Sequence, residues 1–195
     1  EHIVLAYPLV GPNIKRFIKL SEAFPDTHFY AIGDCLDMLS RLGEAAKSSS
    51  LGNVDVLVDV NMGMDRTGVP LSELVSFCDS CASIDGITLK GLHCYDGHRT
   101  EHDYHDRKAQ SDHVDRELKP LLKSICKNHP TCSLVIIGGS PSFPCHADFI
   151  LTDGEETKNA EVYYSPGTVF VYDYGYSKKF PDLPYIPAAA ILTRV

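Results

Sequence analysis

The first two thirds of the chain alternates between short apolar runs and longer segments with helical periodicity. Five apolar runs predict strands, at residues 3–10, 27–32, 54–60, 89–95 and 134–137. Between them, apolar residues recur every three or four positions, which predicts helices at residues 14–24, 34–47, 71–81 and 114–125. Strands that are apolar on both faces and separated by helices are typical of a parallel sheet.

The number of these units bounds the architecture of this α/β chain. Five strand–helix units suffice for an open doubly wound sheet and are too few to close an eight-stranded barrel. After about residue 150 the character changes, because residues 163–176 are rich in Tyr and Val, and residues 188–195 again look like a strand. We therefore predict a first domain at residues 1–155 and the start of a β-rich second domain at 156–195.

Composition excludes several classes of partner. The net charge of −8 disfavours nucleic acid, whose phosphates require clustered Lys and Arg. No apolar run approaches the roughly 20 residues of a membrane span, and no signal peptide is visible, since Glu1 opens directly into a strand-like run. Seven cysteines, an odd number, scattered through apolar segments indicate reduced thiols. We expect a cytoplasmic protein that binds neither nucleic acid nor membrane.

Glycine-rich or small residues follow several of the predicted strands. The segments are residues 61–68 (NMGMDRTG), 93–98 (HCYDGH), 138–142 (GGSPS) and 165–168 (SPGT). In parallel α/β folds, ligands bind at the carboxyl ends of the strands. Small residues there allow backbone N–H groups to approach an anion. Any one segment alone is more typical of an ordinary turn, but their joint placement favours a phosphate site.

These segments also carry a family resemblance. Residues 58–69 (VDVNMGMDRTGV), 91–98 (GLHCYDGH), 138–144 (GGSPSFP) and 165–168 (SPGT) resemble, in this order, the fold-type III PLP-dependent enzymes. The D-threonine aldolase and D-serine dehydratase branch is nearest, and the tail at residues 172–195 is similar to it as well; alanine racemase is more distant. The resemblance implies a TIM-type (β/α)8 barrel like the alanine racemase N-terminal domain, of which the five units are the last five strands.

The same resemblance implies roles for individual residues. Arg66 matches the arginine that hydrogen-bonds the phenolic oxygen of PLP, where a fixed cation favours the phenolate. Tyr95 matches an aromatic residue beside the pyridine ring. Three positions match the cup that binds the phosphate, namely Ser140, Gly167 and Thr168, and Gly138 and Gly139 are expected to let that turn come close to the ligand.

Two positions separate the chain from racemases. Ser165 stands where racemases place an arginine beside the pyridine nitrogen, and Asp59 replaces a lysine that racemases often carry. A serine supplies no positive charge there, which favours the aldolase and dehydratase branch.

Two elements that the resemblance implies have no counterpart in the chain. The lysine that forms the Schiff base lies on an early strand of the barrel, in a His-x-Lys-Thr context that no lysine here has. Lys90 precedes Gly91 inside a predicted strand and is expected near its wrong end. The ligands of the divalent metal, a His and a Cys or Asp, belong to a region beyond Val195. The chain is therefore expected to be a fragment.

Other sequence features have simpler interpretations. The pair Cys78 and Cys81 forms a CxxC inside a predicted helix with no second pair, so we interpret it as helix packing. His102 and His105 lie among charged residues and indicate a solvated helix start rather than a metal site. His98 is different because it follows Tyr95 at the expected mouth of the barrel, where it can transfer a proton. The alternating Tyr172, Tyr174 and Tyr176 predict a strand at a domain interface.

The function that this resemblance implies is a PLP-dependent lyase acting on D-3-hydroxy amino acids. D-threonine aldolase, which cleaves its substrate to glycine and an aldehyde, is favoured over a D-serine dehydratase-like lyase or an amino-acid racemase. A non-catalytic PLP-binding barrel is the alternative of another class, although the tail after Ser165 disfavours it. An unrelated α/β sheet would require the four matches to be accidental. Family members are usually dimers, so we also expect a homodimer.

Overall fold

The computed structural model describes residues 1–149 and 155–193. The strands of its sheet are β1 (His2–Leu5), β2 (His28–Gly33), β3 (Val54–Asp59), β4 (Ile87–Cys94), β5 (Leu134–Ile137) and β6 (Glu161–Tyr164). The helices are α1 (Pro12–Ala23), α2 (Leu36–Lys47), α3 (Leu74–Ala82), α4 (Tyr104–Asn128) and α5 (Tyr174–Lys179).

The strand order decides between the two architectures that the sequence leaves open. All neighbouring strands are parallel and follow each other in chain order, β1-β2-β3-β4-β5-β6. A doubly wound sheet reverses its strand order at a switch point, whereas a barrel does not. The sheet is part of a curled (β/α)8 barrel, which confirms the predicted fold class.

The convex face of the sheet packs against the helices and holds the main core. Strand residues of this face include Val56, Val58 and Val135, which are fully or almost fully buried. Leu39 of α2 and Leu118 of α4 cover them and are themselves fully buried. Each helix contributes the apolar stripe that its periodicity predicts.

The concave face has a different chemistry. Its residues near the amino ends of the strands are polar and line one large open cavity; they include His2, His28, Tyr30, Asp55, Lys90, Glu161 and Tyr163. Several are paired: the His28 ring lies 2.6 Å from Asp55, and the Tyr163 hydroxyl donates to Glu161 at 2.8 Å. Composition suggested strands that are apolar on both faces. The structure shows that this does not hold near their amino ends, where the concave face is polar.

The structure adds a strand that the sequence analysis did not predict. Glu161–Tyr164 pairs in parallel with β5, so the sheet continues past residue 155, where the change in character was placed. The division into two domains stays a prediction. Strand β1 is shorter than predicted and ends at Leu5.

The predicted strand through Tyr172, Tyr174 and Tyr176 is wrong. The Asp173 side chain accepts a hydrogen bond from the Tyr176 N–H at 2.9 Å and caps α5, so the alternating tyrosines lie at the start of a helix. Tyr172 is buried with Phe180 and Leu183 in a second small core. Of the predicted strand at 188–195, residues 188–193 form no regular element, and the last two residues lie outside the described part.

The simpler interpretations of Cys and His residues agree with the structure. Burial raises the pKa of the Cys78 and Cys81 thiols to about 12, so both stay protonated and pack inside α3. Asp103 caps α4 by accepting from the N–H of His105 at 2.7 Å, and His102 and His105 are exposed. Among the described residues, no helix has both the length and the apolar character that a membrane crossing requires.

Arg107 fastens the tail to the barrel. This fully buried α4 side chain donates to the Pro141 carbonyl at 2.8 Å, to the Glu101 carbonyl at 2.7 Å and to the Asp182 carboxylate. Its guanidinium also lies 5.0 Å from the centre of the Phe180 ring. One side chain thus joins α4, two loops at the rim of the sheet and the segment after α5.

We predict that Arg107→Ala lowers the free energy of unfolding by about 2–4 kcal/mol, because it removes a buried side chain and leaves the carbonyls of Pro141 and Glu101 without their donor. Arg107→Lys should not restore it, since one ammonium cannot reproduce the planar fork. Urea denaturation followed by circular dichroism measures the change.

The matched control is Arg41→Ala, which removes an exposed pair with Asp37 on α2. Such pairs contribute about 0.5 kcal/mol or less. Equal effects of the Arg107 and Arg41 variants would show that the buried contacts of Arg107 do not hold the tail.

Candidate functional site

Arg66 lies in the loop after β3, which makes a tight hydrogen-bonded turn. The Asn61 side-chain oxygen accepts from the N–H of Gly63 at 2.9 Å and of Asp65 at 3.2 Å. Gly63 and Gly68 have φ of 98° and 102°, a region that favours glycine. A Cβ on Gly68 would stand 2.5 Å from the Asn61 nitrogen, so only glycine fits. The loop is therefore held by the Asn61 side chain and by the two glycines.

Arg66 and Tyr95 meet at the carboxyl ends of neighbouring strands. The Arg66 guanidinium lies 5.3 Å from the centre of the Tyr95 ring. Both line a cavity of about 100 Å³ that Met62 and Met64 also border. The structure thus brings together two residues that the sequence analysis assigned to one site from separate motifs.

A buried Asp–His pair lies in the same cavity. The Nδ1 of His93 is 2.7 Å from Oδ1 of Asp59, and the two side chains are only 8% and 5% exposed. The His93 ring stacks parallel to Tyr95, with centroids 6.4 Å apart. Sequence analysis noted Asp59 but missed His93. The available signal was their common position at the ends of adjacent strands, where they are register partners.

The turn after β5 and the loop after β6 form one unit. The Ser165 hydroxyl donates to the Gly138 carbonyl at 2.7 Å, and the Val169 N–H donates to the Ser140 hydroxyl at 3.1 Å. The N–H groups of Gly138 and Gly139 are engaged inside the protein, by the Cys94 carbonyl and the Ser142 hydroxyl. Both glycines therefore shape the turn and supply no free donor.

Donors that fit a phosphate stand on the same two segments. Within the described part of the chain, no partner takes the backbone N–H of Ser140, Gly167 or Thr168, or the Thr168 hydroxyl. Gly167 also has open space where a side chain would stand. Three amide donors and one hydroxyl are the groups with which proteins bind a phosphate dianion. The residues predicted for the cup thus fit such a group.

Gly139 connects this cup with Tyr95. A Cβ on Gly139 would stand 2.9 Å from Cα of Gly97 and 3.1 Å from the Tyr95 ring. The missing side chain lets the turn lie directly against the ring. Tyr95 therefore has Arg66 on one side and the turn of the cup on the other, along the rim of the sheet.

Neither His98 nor Lys90 lines the cavity of Arg66, which was expected for Lys90 but not for His98. The His98 ring is packed beside Gly63, its two nitrogens are buried without a hydrogen-bond partner in the described residues, and it does not line the cavity of Arg66. Burial, together with the charge of Arg99, lowers the pKa of His98. Lys90 lies on the concave face 3.9 Å from Asp55, toward the amino ends of the strands.

Comparison with known proteins places this geometry in a family. The family described as "Alanine racemase, N-terminal domain" matches residues 21–150, about two thirds of the chain. No curated protein sequence matches the chain. The fold and the family match place the chain among the fold-type III PLP-dependent enzymes. The chain belongs to the alanine racemase N-terminal domain family, a family of PLP-dependent enzymes.

Solved structures share the fold at low sequence identity. The D-threonine aldolase from Filomicrobium marinum superimposes with a TM-score of 0.79 at 22% identity, covering 96% of this chain and 48% of that one. An alanine racemase from Clostridium difficile 630 gives 0.64 at 17% identity, covering 95% and 46%. A D-threo-3-hydroxyaspartate dehydratase H351A mutant gives 0.61 at 13% identity, covering 88% and 41%. The chain spans about half the length of these proteins.

We predict that Arg66→Ala weakens PLP binding about 10- to 100-fold, because a hydrogen bond to a charged group contributes roughly 1.5–3 kcal/mol. Arg66→Lys should recover only part of the loss, since the planar fork is gone. Equilibrium dialysis with PLP measures the affinity. Arg116→Ala, on the exposed side of α4, is the control; an Arg66 variant that binds as tightly as this control would contradict the assignment.

We predict that Gly167→Ala leaves the thermal unfolding midpoint unchanged but weakens PLP binding. The added methyl group meets no protein atom within 4 Å, and the φ of −101° suits alanine, so only a ligand at the cup can feel it. Gly139→Ala is the contrasting variant and should lower the midpoint, because its methyl group collides with Gly97. Unchanged PLP affinity in Gly167→Ala would place the phosphate elsewhere.

Proposed function

We propose that the chain is the PLP-binding barrel part of a lyase that acts on D-3-hydroxy amino acids, and that its reaction is the cleavage of D-threonine to glycine and acetaldehyde. The observation that carries the cofactor part is the position of Tyr95 between Arg66 and the turn of the phosphate cup. The choice of an aldolase rests on the resemblance of residues 91–98 and 165–182 and on Ser165. The overlay with a D-threonine aldolase over 96% of the chain supports it.

The residues of the site divide the work of holding the cofactor. Ser140, Gly167 and Thr168 donate to the phosphate and fix one end of the molecule. Arg66 holds the phenolic oxygen with a fixed positive charge. Tyr95, held between Arg66 and Gly139, limits the position of the ring. When bound, PLP supplies the electron sink for the charge that bond cleavage leaves at Cα.

Aldol cleavage also needs a base for the β-hydroxyl proton, and His93 is better placed for it than His98. Asp59 holds the Nδ1 side of the His93 ring, which leaves Nε2 to accept a proton. His93 lines both the cavity of Arg66 and the larger concave cavity, and within the described residues its Nε2 has no hydrogen-bond partner. His98 lines neither cavity.

Further parts of the proposal rest on the resemblance alone. A divalent metal is one of them, and among the described residues no group of three or more His, Cys, Asp or Glu is placed to hold one. We therefore assign it no ligand in this chain. A homodimer and a cytoplasmic location are proposed on the same basis.

The decisive assay supplies PLP, a divalent metal and either D-threonine or D-serine to the protein expressed from its longest reading frame. We expect glycine and acetaldehyde from D-threonine. Pyruvate and ammonia from D-serine, with no glycine from D-threonine, would favour the dehydratase instead. Interconversion of D- and L-isomers would indicate a racemase, and PLP binding without turnover of any substrate would indicate a non-catalytic barrel.

The two histidines can be separated in the same assay. His93→Gln should lower kcat for D-threonine strongly and change KM little, because a proton acceptor acts in the reaction step. His98→Gln is the comparison. A larger loss in His98→Gln than in His93→Gln would reverse the assignment.

A further inference from the structure

A buried histidine bridges two aspartates behind the phosphate cup. His146, at the end of a 3-10 turn formed by Phe143–His146, has no exposed side-chain surface. Its Nε2 lies 2.9 Å from Asp96, in the loop after β4, and its Nδ1 lies 3.0 Å from both carboxylate oxygens of Asp115 on α4. Both carboxylates are also buried. One ring therefore joins three separate elements.

This geometry requires a charged imidazolium. Both ring nitrogens face carboxylates, so both must carry a proton to donate. Burial by itself lowers the pKa of His146, but hydrogen bonds to Asp115 and Asp96 and their negative charges outweigh it and raise the pKa to about 9.

Other polar groups near His146 do not compete for its ring. The Tyr164 hydroxyl of β6 donates to the His146 carbonyl at 3.2 Å. The buried thiol of Cys94 on β4 lies near both aspartates, whose negative charges, after burial itself, raise its pKa. The charges of Arg107 and Lys108 act instead on the thiol of Cys145, whose pKa burial raises and these two cations lower. The ring itself is bound by Asp96 and Asp115.

A chain of hydrogen bonds runs from His146 to the cup. Asp96 accepts from His146 with one oxygen and from the Ser142 hydroxyl with the other. The Ser142 oxygen in turn accepts the Gly139 N–H at 2.8 Å. The Gly139 N–H is thus bound inside the protein, whereas the next N–H, that of Ser140, has no partner among the described residues.

We propose that His146 is a positioning residue for the phosphate cup. It holds Asp96, Asp96 holds Ser142, and Ser142 fixes the turn of residues 138–142 in the shape that receives the phosphate. This proposal rests on the proposed PLP site. It differs from a role in core packing, because a packing residue would affect every ligand of the fold equally, whereas a positioning residue affects only ligands with a phosphate.

The test compares pyridoxine 5′-phosphate with pyridoxine, which lack the aldehyde and differ only in the phosphate. Both dissociation constants are measured by equilibrium dialysis. The constant of pyridoxine divided by that of pyridoxine 5′-phosphate isolates the contribution of the cup. We expect His146→Gln to reduce this ratio by roughly 10-fold, which is the effect of losing about one hydrogen bond on an equilibrium constant. His129→Gln, which removes a histidine–aspartate pair between α4 and α3 far from the cup, should leave the ratio unchanged.

A second variant keeps the test decisive, since a broken buried ion pair can unfold the chain. Ser142→Ala removes only the hydroxyl between Asp96 and Gly139, leaves His146 paired, and should lower the ratio as well. Circular dichroism verifies that each variant is folded.

The ratio should also depend on pH in the wild-type chain and in His129→Gln, but not in His146→Gln. The support that His146 gives is complete below pH 6.5 and is lost as pH rises through about 9. The phosphate stays a dianion above about pH 7, so it adds no step of its own. In His146→Gln the ratio of the two dissociation constants should stay constant between about pH 7.5 and 10.

The outcomes separate the two proposals. A wild-type chain that binds pyridoxine and its phosphate equally would overturn the proposed PLP site, and the role of His146 with it. A wild-type chain that discriminates, together with folded variants that discriminate equally well, would overturn only the role of His146. If His146→Gln does not fold, the Ser142→Ala ratio decides alone.

Discussion

The close contact between the turn after β5 and the loop after β4 is the constraint on which the site depends. Gly139 lies so near Gly97 and Tyr95 that a single methyl group has no room. This contact sets the distance between the Tyr95 ring and the phosphate cup. Three buried groups, Arg107, His146 and Ser142, hold the two loops in place from behind. The rim is therefore rigid where a ligand would need a fixed shape.

Several buried polar side chains in the described part of the chain form pairs that connect separate elements of the fold. His93 joins β4 to Asp59 of β3, and Arg107 joins α4 to Asp182 of the tail. A buried polar group without a partner is unfavourable, so each of these pairs favours one position of the two elements that it joins. The convex core holds the helices on the sheet, and these polar pairs orient the loops at its rim.

Part of the fold could be predicted from sequence because its signals are local. Five of the strands and the helices between them follow from periodicity. The glycines of the loop after β3 indicate a turn, because they allow backbone angles that other residues rarely adopt. β6 was missed because its four residues, EVYY, are as polar and aromatic as the tail around them. The tyrosines at 172–176 alternate like a strand, but the Asp173 cap turns them into a helix. The alternation of residues alone does not show whether such a cap forms and starts a helix.

The sequence by itself determined the βα alternation, the small residues at the strand ends and the family resemblance that assigns Arg66, Tyr95 and the cup. Only the tertiary structure decided which polar residues pair. His146 meets Asp96 across 50 residues, and Arg107 meets Asp182 across 75. It also placed His93, and not His98, beside the cavity of Arg66, which is why we propose His93 as the proton acceptor. The physical reason is that burial and hydrogen-bond geometry arise where distant segments pack together, and no spacing along the chain encodes that approach.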